Sequence, residues 1–172
     1  PSLSPDFYGG TQGAVRHLAE VHGHRRIALI TGGSPMDIRE RAWVDALHGM
    51  GLTPDCRVHA EWSTPGGRAA AAQLLTRYPD ATAVFVAADQ QAVGLISGLY
   101  AAGRRIPDDI AVASFDGSLT ARFTVPPLTT VAQSLFEQGV QAARLALALM
   151  AGEHAKSPRI AVELVARNST AS

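Results

Sequence analysis

Cysteine is nearly missing from this chain of 172 residues. Cys56 stands alone, so an intrachain disulfide is impossible, and a cytosolic setting is compatible with that usage. Neither sign of charge dominates. Fifteen Lys and Arg face fifteen Asp and Glu, which argues against this segment alone gripping nucleic acid, where a cationic face supplies most of the affinity. No apolar run reaches membrane-spanning length, and the first residues lack a charged-then-apolar export signal. Glycine-rich nucleotide motifs are missing too: Gly32-Gly33 resembles half of a phosphate cradle, but neither the dinucleotide nor the P-loop pattern follows. There is no Gly-x-Ser-x-Gly elbow. The six histidines (His17, His22, His24, His48, His59, His154) show no metal-ligand spacing with carboxylates. These gaps give no support to an enzyme or a metalloprotein, and they predict no catalytic residue, no metal and no cofactor.

What is present suits a soluble α/β domain. Apolar residues make up 47% and charged residues 17% of the chain, which excludes disorder. A chain of this length buries roughly 70% of its unfolded surface, enough for a core without disulfides or metal. Three apolar runs, Ile27–Ile30, Ala83–Ala87 and Ile110–Phe115, show no polar alternation. Strands apolar on both faces are what a parallel sheet covered by helices requires. A weaker strand candidate runs from Arg57 to Trp62. Helical spacing fits Phe7 to His22, Asp37 to Met50, Gly66 to Tyr78 and Asp89 to Ala102. The alternation gives βαβ units and a doubly wound parallel sheet. After Phe115 come a turn-rich stretch to Leu128, a short Thr129–Val131 strand and a helix from Ser134 to Met150. That helix is apolar around more than one stripe and so needs cover on two sides, from more protein or from a partner chain. Arg159 to Val165 reads as one last strand, and Arg167 to Ser172 as a polar, frayed tail. Cys56 reads as a small buried apolar residue.

Ligands of open parallel sheets collect beyond the carboxyl ends of the strands. The residues placed there are Gly32, Gly33, Ser34, Asp37, Arg39 and Arg41, then Trp62, then Asp89 and then Asp116. Arg39, Trp62, Asp89 and Asp116 form a constellation suited to a small polyhydroxyl ligand. Guanidinium and carboxylate take vicinal hydroxyls in pairs, and an indole covers the C–H face of a ring. Each has a plainer alternative: Asp89 as a helix N-cap, Asp116 as a turn residue before Gly117, Arg39 and Arg41 as solvated helix charges, and Trp62 as edge packing.

The order of several motifs resembles the LacI/GalR family of bacterial transcription regulators. The resemblance rests on His17-Leu18-Ala19, Gly23-His24-Arg25-Arg26-Ile27-Ala28, the pair Arg39 and Arg41 ahead of Ala46-Leu47, Thr82-Ala83-Val84-Phe85 with Asp89, Ile106-Pro107-Asp108-Asp109-Ile110 with Phe115-Asp116, Pro127-Leu128-Thr129-Thr130-Val131 with Gln133, and Leu164-Val165 with Arg167 and Ser169-Thr170. It implies a periplasmic-binding-protein-like fold, a homodimer in the cytoplasm, a small sugar-like effector, and operator DNA bound through a headpiece not present in this chain, with no membrane partner. It further implies that residues 1–132 form the second lobe of a two-lobed domain. Residues 133–151 would be a helix normally belonging to the first lobe, and residues 152–172 a return to the second. The effector contacts it carries over are Arg39, Trp62, Asp116 and Gln133. Ala88 stands where several sugar-binding members have Asn, a departure from the usual hexose network. A solute-binding receptor of a sugar transporter shares the architecture and is the alternative reading.

Overall fold

The structure is a computed structural model describing residues 2–33, 37–153 and 157–171. Ser34 and His154 therefore lie outside the described residues. The elements in chain order are β1 (Ser4–Pro5), α1 (Phe7–Arg16), a π-helical turn (His17–Val21), β2 (Ile27–Thr31), α2 (Ile38–Gly49), β3 (Arg57–His59), α3 (Thr64–Arg77), β4 (Ala83–Val86), α4 (Asp89–Ala101), β5 (Ala111–Asp116), a 3-10 turn (Leu119–Arg122), β6 (Thr129–Gln133), α5 (Leu135–Met150), β7 (Arg159–Ile160) and β8 (Val162–Val165).

Six strands form one sheet in the order β3-β2-β4-β5-β6-β8. All neighbours are parallel except β6 and β8, which run antiparallel. An α/β fold with a mostly parallel, doubly wound sheet is therefore present, with one antiparallel edge strand. The apolar runs explain it. Successive side chains of a strand point to opposite faces, and here both faces are dry. Ala28, Ile30, Val84, Val86 and Val112 meet Leu74, Leu95 and Leu99 of α3 and α4 on one side. Ile27, Leu29, Phe85, Ala113 and Phe115 meet Val15, Trp43 and Leu47 of α1 and α2 on the other.

Three sequence expectations need correction. The Arg57 candidate stops at His59, so Trp62 stands in the loop ahead of α3 and not on a strand. The Arg159–Val165 strand is two: β7 pairs with β1 in a separate two-stranded sheet, and β8 turns onto β6. The tail is not frayed at Ser169 and Thr170, which are buried. The Ser169 backbone N–H donates to the Pro127 carbonyl and its carbonyl accepts from Val112 N, both at 2.9 Å. Its hydroxyl donates to the Val112 carbonyl at 2.6 Å and accepts from Thr129 N at 2.7 Å. The tail thus fills the gap between the starts of β5 and β6, where unpaired backbone groups would otherwise be buried. Cys56 is buried as expected, and burial with the Asp55 carboxylate pushes its thiol up to about 12.

Helix α5 is the exception to this packing. None of its residues is buried, and Leu135, Phe136, Leu147 and Met150 are exposed. No helix among the described residues is long and apolar enough to cross a membrane.

Replacing Ser169 with alanine strands the Thr129 N–H and removes a donor to Val112. Urea unfolding is expected to show a loss of about 1–3 kcal/mol, whereas the same change at exposed Ser157 is expected to leave the midpoint where it is.

Candidate functional site

The chain leaves β2 for β3 at one edge and returns on the other side as β4, so the loops after β2 and β4 part. In doubly wound sheets that parting opens the ligand crevice. Arg39, in the first turn of α2, spans it. Its Nη1 donates to the Ala87 carbonyl just beyond β4 at 3.0 Å, and its Nε and Nη2 donate to Asp37 at 3.1 and 3.3 Å. Asp37 caps α2 by accepting from Arg39 N, and accepts from the Thr31 hydroxyl at the end of β2. Burial opposes ionisation of Asp37, but the hydrogen bonds from Arg39 and Thr31 outweigh it and hold the carboxyl below its usual range.

The guanidinium is also stacked between two rings. Its Cζ lies 5.0 Å from the centre of Phe7 and 4.6 Å from that of Trp62, inside cation–π range. The indole of Trp62 lies where a side chain at position 32 would stand, so Gly32 is the residue that leaves room for it. Trp62 remains 43% exposed, a free aromatic face at the rim. Of the five N–H groups of an arginine, three are engaged, which leaves donors for a ligand on a side chain already fixed in place.

Acidic groups occupy the other side. Asp116 ends β5 at φ 125 and Gly117 follows at φ 71, a left-handed pair that turns the chain sharply off the sheet. Asp116 Oδ1 accepts from Gln133 Nε2 at 2.9 Å and Oδ2 from Asp89 N at 3.3 Å. Gln133 in turn accepts from Gln138 of α5 at 3.1 Å. Burial, and next the nearby Asp89 charge, push Asp116 up to about 6.

Asp89 does not cap its helix. The N-cap is Ala88, and Asp89 is the first residue inside α4. It is 1% exposed. Its Oδ1 accepts from the Ser114 and Thr130 hydroxyls at 2.5 and 2.6 Å, and its Oδ2 accepts from Ser118 N at 2.6 Å. The carboxylate therefore ties the ends of β5 and β6 and the loop after Asp116 to the start of α4. A cavity of about 470 Å³ opens beside it, lined by Thr64, Gln90, Val93, Asp116, Ser118 and Thr120.

The structure thus brings Arg39, Trp62, Asp116 and Gln133 to one edge of the sheet and places Asp89 beneath them. Arg41 stays out: its side chain is 77% exposed and pairs with Asp45. Sequence reasoning missed Phe7, Asp37 as the partner of Arg39, and the Ala87 carbonyl. It also missed Ser114 and Thr130, although each is a hydroxyl in a buried strand and so needs a partner. Among the described residues no group of three or more His, Cys, Asp and Glu could hold a metal ion.

Residues 15–170 match the family of periplasmic binding protein-like domains. The chain belongs to that family. It is 36% identical over 165 residues to the HTH-type transcriptional regulator CelR of Thermobifida fusca, covering 92% of this chain and 48% of that protein. It is 34% identical over 177 residues to the HTH-type transcriptional repressor CytR of Escherichia coli, covering 99% of this chain and 52% of that one. Among solved structures it is similar to the CelR–cellobiose complex, with a TM-score of 0.89 at 35% identity over 98% of this chain and 54% of that chain. It also superposes on a LacI family regulator of Enterococcus faecium with bound ribose, with a TM-score of 0.91 at 31% identity over 99% and 65% of the two chains. The chain spans about half the length of the curated relatives it matches. Those relatives are transcriptional regulators.

Asp116 is expected to titrate near pH 6 in carboxyl-carbon NMR, well above a free aspartate at about 3.9. Because the folded value lies above the unfolded one, its contribution to stability is fully present below about pH 4 and is lost as pH rises through 6. D89N removes the neighbouring charge, so the Asp116 midpoint is expected to fall; an unchanged midpoint would show that the two carboxyls do not interact.

Proposed function

We propose that this chain is the effector-binding part of a LacI/GalR-type regulator, and that its edge of Arg39, Trp62, Asp116 and Gln133 is one jaw of a clamp for a small sugar or related metabolite. The observation that carries the reading is Arg39, held across the sheet crevice by Asp37 and the Ala87 carbonyl and stacked on Trp62. A guanidinium and a carboxylate facing one opening take hydroxyls in pairs, and the exposed indole covers an apolar sugar face. Asp89 is already held by three donors; it positions Asp116 and Ser118. Two relatives carry cellobiose and ribose in their solved structures, and the lac repressor dimer, 29% identical with a TM-score of 0.91, is bound to operator.

Residues 1–132 and 152–172 form the second lobe in this reading, and residues 133–151 pack into a first lobe that completes the clamp. That placement accounts for α5, whose apolar side chains find nothing to bury against here. A ligand that binds both lobes favours one angle between them, and the assembled regulator, a cytoplasmic homodimer, reads that angle as operator affinity. Effector and operator are then reciprocally coupled. No residue of the site is assigned a catalytic task.

The test uses the longer protein that carries both lobes. Titration calorimetry against a panel of mono- and disaccharides is expected to find a binder, and R39A to weaken it at least tenfold, about 1.4 kcal/mol, with the melting curve retained. Affinity unchanged in R39A would overturn the site. Operator binding indifferent to the same sugar in a mobility-shift assay would overturn the regulatory reading.

A further inference from the structure

Gln91, the third residue of α4, is fully buried. Its Nε2 donates to the carbonyls of Ala60 and Glu61, both at 3.0 Å. Those are the two residues ahead of Trp62 in the loop from β3 to α3. Ala60 N donates to the Thr31 carbonyl at the end of β2 at 2.9 Å. Just past the indole, the Ser63 side chain accepts from Gly66 N at 3.0 Å and caps α3. The backbone is therefore held on both sides of Trp62. Helix α3 crosses α4 so closely that a Cβ at Gly67 would collide with the Gln91 carbonyl, and that close crossing brings the loop within reach of the amide.

The amide does more than fill space. Its Oε1 is buried with no hydrogen-bond partner among the described residues, a cost that a methionine of similar length would not carry. What the glutamine supplies in return is two N–H groups, one for each carbonyl. We propose that Gln91 is a positioning residue for the effector: through Ala60 and Glu61 it sets where the Trp62 indole stands against Arg39, without touching the ligand itself. The proposal rests on the reading of the Arg39 and Trp62 edge as one jaw of a sugar clamp.

One helix start then serves both walls of the crevice. Asp89, two residues before Gln91, holds Ser114, Thr130 and Ser118 on the acidic side. Residues two apart on a helix do not face the same way, so Gln91 turns to the aromatic side. Trp62 depends on that hold. Its ring is 43% exposed, and its packing on Arg39 and over Gly32 steadies the side chain without fixing the loop that carries it. An indole set in advance spares the ligand the cost of ordering it on binding, and a shift of the loop would move it off both the guanidinium and a sugar ring.

The experiment uses the longer protein with both lobes, labelled with fluorotryptophan and followed by fluorine NMR with no ligand present; W62F identifies the Trp62 resonance. Q91M keeps length and volume but donates nothing. It is expected to shift or broaden the Trp62 resonance and to leave that of buried Trp43 in place. Q91N, whose amide is one methylene short of the two carbonyls, is expected to do the same and decides the matter where Q91M fails to fold. A Trp62 resonance unmoved in the folded variant would overturn the proposal. Calorimetry with cellobiose and with ribose is the second arm. Q91M is expected to weaken the sugar that binds by about tenfold and to cause no further loss in a W62A background; losses that simply add would overturn the positioning role. Binding of neither sugar counts against the clamp, and the ligand-free spectra then decide the role of Gln91 by themselves.

Discussion

Four neighbouring parallel strands that are dry on both faces must all end at the same edge, and everything functional in this chain follows from that constraint. The helices leaving β2 and β4 diverge there, and the backbone between them opens. Arg39 bridges the opening instead of closing it, because its partners are one carboxylate at the foot of its own helix and one carbonyl across the gap. Stacking on Phe7 and Trp62 removes the freedom that a long side chain would otherwise lose on binding.

The acidic side is built on a carboxylate that meets almost no water. Asp89 is tolerated in the interior because three donors satisfy it, which is what a buried charge requires. Its field in turn helps keep Asp116 reluctant to ionise, so the two acids divide their work: one is a fixed strut, the other remains responsive to its surroundings near pH 6. The left-handed backbone at Asp116 and Gly117 lifts that carboxyl off the strand toward the crevice.

Several parts of this design were legible in the residues. The runs at Ile27, Ala83 and Ile110 could only be doubly covered strands, and the edge they define selected Arg39, Trp62 and Asp116. The motif order from His17 to Thr170 pointed to the family the chain belongs to. Other parts were hidden because they depend on long-range pairing. A seven-residue run at Arg159 reads as one strand until two different neighbours claim its halves. A polar tail reads as frayed until Ser169 finds Val112 and Thr129. Asp89 reads as a helix cap because its local position suits one, whereas the hydroxyls that claim it lie on β5 and β6.

The sequence by itself determined the alternation of helix and strand, the dryness of both sheet faces and the kinds of side chain at the strand ends, because hydrophobic spacing and turn chemistry are local. The tertiary structure decided which of those side chains stay free. Arg39 and Arg41 are alike in sequence, yet one is locked across the crevice and the other is solvated. His17 and His22 carry no recognisable spacing until the π-helical turn at the end of α1 brings them into hydrogen-bond contact. Those outcomes rest on contacts between segments tens of residues apart, or on a change in helical pitch, and neither is written in local periodicity.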